Sequence, residues 1–230
     1  NMYKHLIFDL DDTLLDFRKG EQVGLMNIFR DHGLENQVDE AFATYQTINR
    51  GLWAAYERGE INKDQIHNTR FGKLFEAFDR AVDGIALEKE YRQYLNQNYF
   101  VLDGAEDLLK NLVNQGYKLI AGTNGEQRTQ ELRLEHTGFG RYFDDVFISD
   151  AIGHAKPSTE FFDAIFGHRQ DMVREESIMI GDGLASDIQG GNRYNLDTLW
   201  VNLHQQVNET PYQATYEVNE LPTIMQIVSK

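Results

Sequence analysis

Cysteine is missing from all 230 residues, which excludes disulfides, thiolate nucleophiles and cysteine-ligated metals. Proline is scarce, three residues in all, and none sits in a run that would mark a rigid linker. Positive charge is also in short supply: 22 Lys and Arg face 37 Asp and Glu, a formal net charge of -15. A chain with that field does not grip a nucleic-acid backbone or an anionic membrane, so neither is an expected partner. No apolar run approaches the roughly 20 residues that span a bilayer, and no basic-then-apolar leader opens the sequence. These absences lead us to expect a cytoplasmic protein. Its 41% hydrophobic content suits one large domain, or a domain with an insertion.

What is present is concentrated near the start. Leu6-Ile7-Phe8 reads as a short buried strand that ends in Asp9, Asp11 and Asp12, followed by the hydroxyl of Thr13. Neighbouring carboxylates repel and resist desolvation, so a buried strand ending in such a cluster calls for a cation, and hard divalent Mg²⁺ fits oxygen donors best. Asp9 is the candidate nucleophile towards a phosphoryl group. Asp11, two residues on, is the candidate acid and base.

Between Asp16 and Asn98 the apolar residues fall at helical spacing: Val23, Met26, Ile28, Phe29; Phe42, Tyr45, Ile48, Leu52, Trp53, Tyr56; Phe71, Leu74, Phe75, Phe78. Breaks at Gly33, Gly59 and Asp83-Gly84 divide this stretch into about four helices. From Val101 onward strand and helix alternate. Strands are expected at Tyr117–Ala121, Asp145–Ser149, Ser177–Ile180, Thr198–Val201 and Thr215–Val218, and helices at Ala105–Asn114, from Glu126, from Ser158, on to Tyr194, and at Leu221–Val228. The expected fold is α/β: a doubly wound parallel sheet in a Rossmann-like core, residues 1–15 and 99–230, with an all-helical insertion at 16–98.

Ligands bind such sheets outside the carboxyl ends of the strands, and further polar residues fall there. Thr123-Asn124-Gly125 joins a strand to a helix N-terminus, and reads either as an anion cradle or as an ordinary helix cap. Lys156 precedes Pro157; alone it is an unremarkable lysine, but here it can neutralise Asp9 and a phosphate. Gly181-Asp182-Gly183 ends an apolar strand, and Asp187 follows in the next turn. Asp182 is then a metal ligand, with Asp187 holding a metal-bound water or Lys156. Successive strand ends carrying Asp-x-Asp, Thr-Asn, Lys-Pro and Gly-Asp-(x)₄-Asp are hard to reconcile with independent structural accidents.

The four motifs Asp9-Leu10-Asp11-Asp12-Thr13, Thr123-Asn124, Lys156-Pro157 and Gly181-Asp182-Gly183-Leu184-Ala185-Ser186-Asp187 resemble those of the haloacid dehalogenase-like hydrolases. Asp12 stands where that family commonly has Gly, and Gly183 where it has Ser or Thr. Tyr45 to Trp53, Asn68-Thr69-Arg70-Phe71 and Arg133 to Gly138 further resemble the bacterial pyrimidine 5′-nucleotidase group. The resemblance implies a Mg²⁺-dependent phosphomonoesterase working through an aspartyl-phosphate, with the insertion as a cap. Asp9, Asp182, Asp187 and the carbonyl of Asp11 are the implied metal site. Thr123, Asn124, Gly125 and Lys156 are expected at the phosphate, and Phe17, Asn49, Trp53 and Arg70 at a nucleobase, unless they only pack or cap the helices. The expected partner is a small phosphorylated metabolite, a nucleoside monophosphate in the first instance, bound by a monomer or homodimer. Phosphoglycolate or sugar-phosphate hydrolysis, phosphomutase action, 2-haloacid dehalogenation and a non-catalytic phosphoaspartate signalling role are the alternatives.

Overall fold

A computed structural model describes residues 2–230. The chain divides into two compact units, one made of the residues up to Phe17 together with Tyr99–Lys230, the other Arg18–Asn98. The expected insertion began at residue 16; Asp16 and Phe17 instead belong with the core. The backbone of Asp16 donates to Phe100 O at 2.9 Å, which ties the outgoing strand of chain to the returning one.

The first strand, β1 (His5–Phe8), is buried along its whole length. The helical unit follows as α1 (Phe17–Asp31), α2 (Val38–Glu57), α3 (Lys63–Glu76) and α4 (Gly84–Leu95). Gly33 and Gly59, just beyond the ends of α1 and α2, have φ of 84° and 77°, the left-handed conformation in which glycine carries no steric penalty. Helix α3 opens on a capping box in which Asn62 and Gln65 satisfy each other's backbone amides; α4 opens on Asp83, whose carboxylate accepts from Ala86 N. Tyr45, Phe71 and Tyr91 meet at ring separations of 5.3 to 6.2 Å to form the inside of this unit.

The core resumes with α5 (Ala105–Asn114), β2 (Lys118–Thr123), α6 (Gln127–Thr137), β3 (Asp145–Ile148), a short α7 (Ser149–Ile152), α8 (Thr159–His168), β4 (Ser177–Gly181), α9 (Gln189–Arg193), β5 (Asp197–Val201), β6 (Tyr216–Val218) and α10 (Thr223–Val228). The strands pair in the order β3-β2-β1-β4-β5-β6, and every pairing is parallel. A parallel sheet is covered on both faces, and the two-residue period shows how. Leu6 and Phe8 belong to a core shared with Leu108, Leu109 and Leu112 of α5, whereas Ile7 belongs to one shared with Phe161, Phe162 and Ile165 of α8. Among the described residues no helix is long and apolar enough to cross a membrane.

Two local expectations are corrected. Glu126 is not the first residue of α6 but its cap: its carboxylate accepts from Arg128 N and Thr129 N, satisfying two otherwise orphaned amides. The turn after Gly183 is not regular α-helix. Gly183 O accepts from both Asp187 N (2.8 Å) and Ile188 N (3.1 Å), which widens the turn over Leu184–Ile188 before α9 begins.

Candidate active site

Strand β1 lies between β2 and β4, and Phe8 pairs with Ala121 on one side and Ile180 on the other. This register brings the residues that follow Phe8, Ala121 and Ile180, namely Asp9, Gly122-Thr123 and Gly181-Asp182, to the carboxyl end of the sheet. Asp9 N still donates to Ile180 O at 2.9 Å, so its backbone is held as part of the sheet. Residues almost 180 apart in sequence therefore meet because their strands are neighbours.

The centre of the site is Lys156, 1% exposed. Its ammonium donates to Asp9 Oδ1 at 3.0 Å, Asp187 Oδ1 at 2.7 Å and Gly122 O at 2.7 Å, which uses all three of its protons. Asp187 also accepts from Gly183 N through Oδ2 at 3.0 Å. The widened turn makes this approach possible, and Gly181 leaves room for it: a Cβ there would come within 2.1 Å of Asp187 Oδ2. Thr13 supplies the other clasp. Its hydroxyl oxygen lies 3.0 Å from Asp9 Oδ2 and 3.2 Å from Asp182 Oδ1, so its one proton can go to either, and it accepts from Asp182 N at 3.0 Å. The indole of Trp200 donates to Asp182 O at 3.0 Å and steadies the same loop.

Asp9, Asp182 and Asp187 each present an oxygen, and the three oxygens lie within 4.8 Å of one another. Burial and the charges of Asp9 and Asp187 push Asp182 well above the usual carboxylate range. Asp187 is pushed up to about 7 by burial and by Asp9, with Lys156 opposing. Burial disfavours the charge on Lys156, yet Asp187 and Asp9 hold its pKa above the ordinary lysine range. When ionised, three carboxylates against one ammonium leave an excess of two negative charges. Hard oxygen donors with that excess fit a divalent cation such as Mg²⁺.

Asp11 stands apart from this cluster. Arg133 Nη1 donates to Asp11 Oδ1 at 2.8 Å and Gln130 Nε2 to Oδ2 at 3.2 Å, both from α6. Burial raises the Asp11 pKa; Arg133 pulls it down, Asp9 pushes it up, and the net direction is upward. The phosphate-cradle residues divide in the same way. Thr123 Oγ1 accepts from Gly125 N (2.9 Å) and Gln130 Nε2 (2.8 Å), leaving its own O–H to donate. The side chain of Asn124 exchanges two hydrogen bonds with the backbone of Lys156, each 2.9 Å, and so fixes the lysine loop.

The structure thus brings Asp9, Asp11, Thr123, Asn124, Gly125, Lys156, Asp182 and Asp187 into one place. Phe17 belongs to the core unit and is half-buried, with its ring 5.0 Å from the guanidinium of Arg133. The other expected residues lie in the helical unit. Arg70, 3% exposed, donates through Nε to Glu88 Oε2 (2.9 Å) and through Nη1 to Asn49 Oδ1 (3.0 Å). Trp53 is half-buried and edge-on to Tyr56 at 5.4 Å. Sequence reasoning gave Thr13, Gln130, Arg133 and Trp200 no part in the site. Thr13 was open to notice, four residues after Asp9 in the first motif, and so was Arg133, at the head of the stretch Arg133 to Gly138; Gln130 and Trp200 show no local signal.

The family model for haloacid dehalogenase-like hydrolases matches residues 3–195. The pyrimidine 5′-nucleotidase PynA of Streptococcus pneumoniae is 39% identical over 228 residues, 99% of this chain and 96% of that one. The pyrimidine 5′-nucleotidase YjjG of Escherichia coli is 32% identical over 236 residues, 98% and 97% of the two chains. The crystal structure of YfnB from Bacillus subtilis, bound to magnesium, superimposes with a TM-score of 0.93 at 36% identity and covers 100% of both chains.

Proposed function

Because the chain belongs to the haloacid dehalogenase-like hydrolase family, we propose that it hydrolyses phosphomonoesters, with pyrimidine nucleoside 5′-monophosphates as substrates. One observation carries the reaction class. Of the two carboxylates in Asp-x-Asp, Asp9 sits inside the charge-excess cluster against Lys156, while Asp11 is held outside it by Arg133 and Gln130. Two carboxyl groups in unlike surroundings are what a nucleophile and a separate proton carrier require.

In this reading an oxygen of Asp9 attacks phosphorus and the bond from phosphorus to the ester oxygen breaks. Asp11 gives its proton to that departing oxygen, so the leaving group departs as a neutral alcohol. Asp11, now a carboxylate, takes a proton from water; the water oxygen attacks phosphorus, the bond to Asp9 breaks, and inorganic phosphate leaves with Asp9 restored. Thr123 donates to a phosphoryl oxygen throughout, and the positive charge of Lys156 offsets the negative charge of the phosphoryl group. Asp9, Asp182 and the carbonyl of Asp11 are the residues that would carry Mg²⁺, with Asp187 beside them fixing Lys156; when bound, the ion would offset negative charge on both phosphate and protein. The magnesium-bound relative supports that choice of ion. Halide displacement from carbon needs no proton donor, so a separately held Asp11 favours phosphate chemistry over dehalogenation.

The substrate class rests on the two relatives named pyrimidine 5′-nucleotidases. Selection of the base by Phe17, Asn49 and Trp53, with Arg70 holding Asn49 in place, is part of the same proposal. Phosphate release from UMP, dUMP, dTMP, AMP and phosphoglycolate, side by side with Mg²⁺, tests it. The pyrimidine nucleotides are expected to exceed the others. Equal or better turnover of phosphoglycolate would remove the nucleotidase assignment, and substantial turnover by Asp9→Asn would remove the mechanism.

A further inference from the structure

Helix α6 delivers two side chains to Asp11 that the chemistry above leaves without a task. Gln130 and Arg133 lie three residues apart on one helical face, 0% and 3% exposed. Each gives one donor to a different oxygen of Asp11, at 3.2 and 2.8 Å, so the plane of the carboxyl group is fixed as well as its position. The two are joined to each other, Arg133 Nη1 donating to Gln130 Oε1 at 3.3 Å. Gln130 Nε2 reaches Thr123 Oγ1 at 2.8 Å too, linking the proton carrier to the hydroxyl assigned to the phosphate. The arrangement leaves no room for a larger residue at position 125, where a Cβ would come within 2.6 Å of Gln130 Nε2. The ring of Phe17, 5.0 Å from the guanidinium, lines a further side of Arg133.

We propose that Arg133 and Gln130 are positioning residues: they hold the Asp11 carboxyl in the one orientation from which it serves the leaving oxygen, in register with the phosphate held by Thr123. The inference rests on the phosphomonoesterase reading of Asp11. An unrestrained aspartate samples several staggered rotamers, whereas proton transfer needs the donor within hydrogen-bond reach of the departing oxygen. Arg133 therefore acts on the step that needs the proton and leaves the phosphoryl-holding groups where they are, while Gln130 also touches Thr123.

That separation defines the test. An alkoxide leaves only with a proton, whereas p-nitrophenolate leaves without one. In the transfer to Asp9, positioning residues should thus matter for alkyl phosphates and little for p-nitrophenyl phosphate. A merely structural ion pair would slow both esters alike. The measurement is kcat/KM, which ends at the transfer to Asp9 and so excludes the water step that both esters share, for UMP (phosphoglycolate if the screen above prefers it) and for p-nitrophenyl phosphate, at saturating Mg²⁺, in wild type, Asp11→Asn, Arg133→Met, Arg133→Lys and Gln130→Met. Asp11→Asn sets the scale, with the alkyl-to-aryl ratio falling about 100-fold or more. Arg133→Met is expected to lower that ratio about tenfold, Gln130→Met somewhat less, and Arg133→Lys, which keeps a donor, to recover part of it. Should Arg133→Met fail to fold, Gln130→Met and Arg133→Lys carry the test. Equal losses on both esters, or none, while Asp11→Asn still splits them, would overturn this inference alone. No split in Asp11→Asn would overturn the proton-carrier assignment, and this inference with it.

Discussion

In the helical unit Arg70 is buried with Glu88 across it, Asn49 on another nitrogen and Arg92 further out on Glu88 at 3.4 Å. In the core, Asp9, Asp182 and Asp187 are gathered around the single ammonium of Lys156. Both are buried ion clusters, and both join residues distant in sequence. The first is close to balance: the fork of the Arg70 guanidinium meets a carboxylate and an amide oxygen, and the second cation, Arg92, is partly open to solvent. The second leaves negative charge over. A protein that only needed to fold would gain by replacing one of those carboxylates, so their retention marks a place where stability gives way to chemistry.

The largest effect expected from breaking this contrast is on turnover. Lys156→Met removes the one cation of the core cluster and should lower kcat by about 10³-fold, in the range seen when a preorganised electrostatic partner is lost. Arg70→Met removes the corresponding cation of the helical cluster, yet should act mainly on stability and KM, because the residue is packed against Glu88 and Asn49. Steady-state kinetics on folded protein separates the two. A loss of kcat in Arg70→Met as large as in Lys156→Met would erase the distinction between the clusters.

Stability should respond with opposite signs. Glu88→Gln strands a buried guanidinium and should cost about 3–5 kcal/mol, the usual result of removing half of a buried pair. Asp182→Asn relieves repulsion, and in EDTA should raise the melting temperature by a few degrees, about 1–2 kcal/mol in a chain of this size, while abolishing activity. Thermal melts of both variants with and without Mg²⁺ decide the matter. A lowered melting point for Asp182→Asn in EDTA would show that its charge is already answered by the protein.

How much of this contrast was legible beforehand follows from the kind of signal each residue leaves. Asp9, Thr123 and Asp182 end apolar strands, so local pattern located them, and the parallel sheet brought those ends together. Lys156 was legible only through its order among the other motifs. Arg133 was not legible as a partner of Asp11, because it sits 122 residues away on a helix where a polar side chain is the expected solvated case. Helical spacing in α3 shows which face turns inward, but not that Arg70 on that face finds Glu88 on α4, 18 residues later. The helical period also could not foresee the wide turn at Leu184–Ile188, which depends on Gly183 O accepting two amides at once.

The pH dependence of stability offers a finer comparison. In the metal-free protein Asp187 titrates near 7 against an ordinary value of 3.8, and Asp182 is also raised. Between those two values the folded state binds protons that the unfolded chain has already released, so stability falls as pH rises. The melting temperature in EDTA should therefore be higher at pH 5 than at pH 7, and saturating Mg²⁺ at pH 7 should restore it. Asp182→Asn should flatten the slope and Glu88→Gln leave it unchanged. A rising slope from pH 5 to 7 in EDTA would contradict the excess-charge account.

Asp12 gives the smallest and most exacting comparison. Its charge adds to that borne by Asp182, yet it takes no part in the cluster of oxygens. Its backbone has φ of 61°, with its amide donating to Leu15 O at 2.7 Å, so the residue sits in the left-handed region at the turn out of β1. Aspartate tolerates that conformation better than most residues but still less well than glycine. Asp12→Gly removes both a strained conformer and a nearby like charge, against the larger backbone entropy that glycine loses on folding. The balance should be a gain of up to about 1 kcal/mol in EDTA, shrinking when Mg²⁺ is bound, with kcat within about twofold of wild type. The shrinkage is the informative part: strain relief is indifferent to the metal, whereas relief of repulsion is not. The difference between the two melts therefore measures how far the excess charge of the site extends beyond Asp9, Asp182 and Asp187.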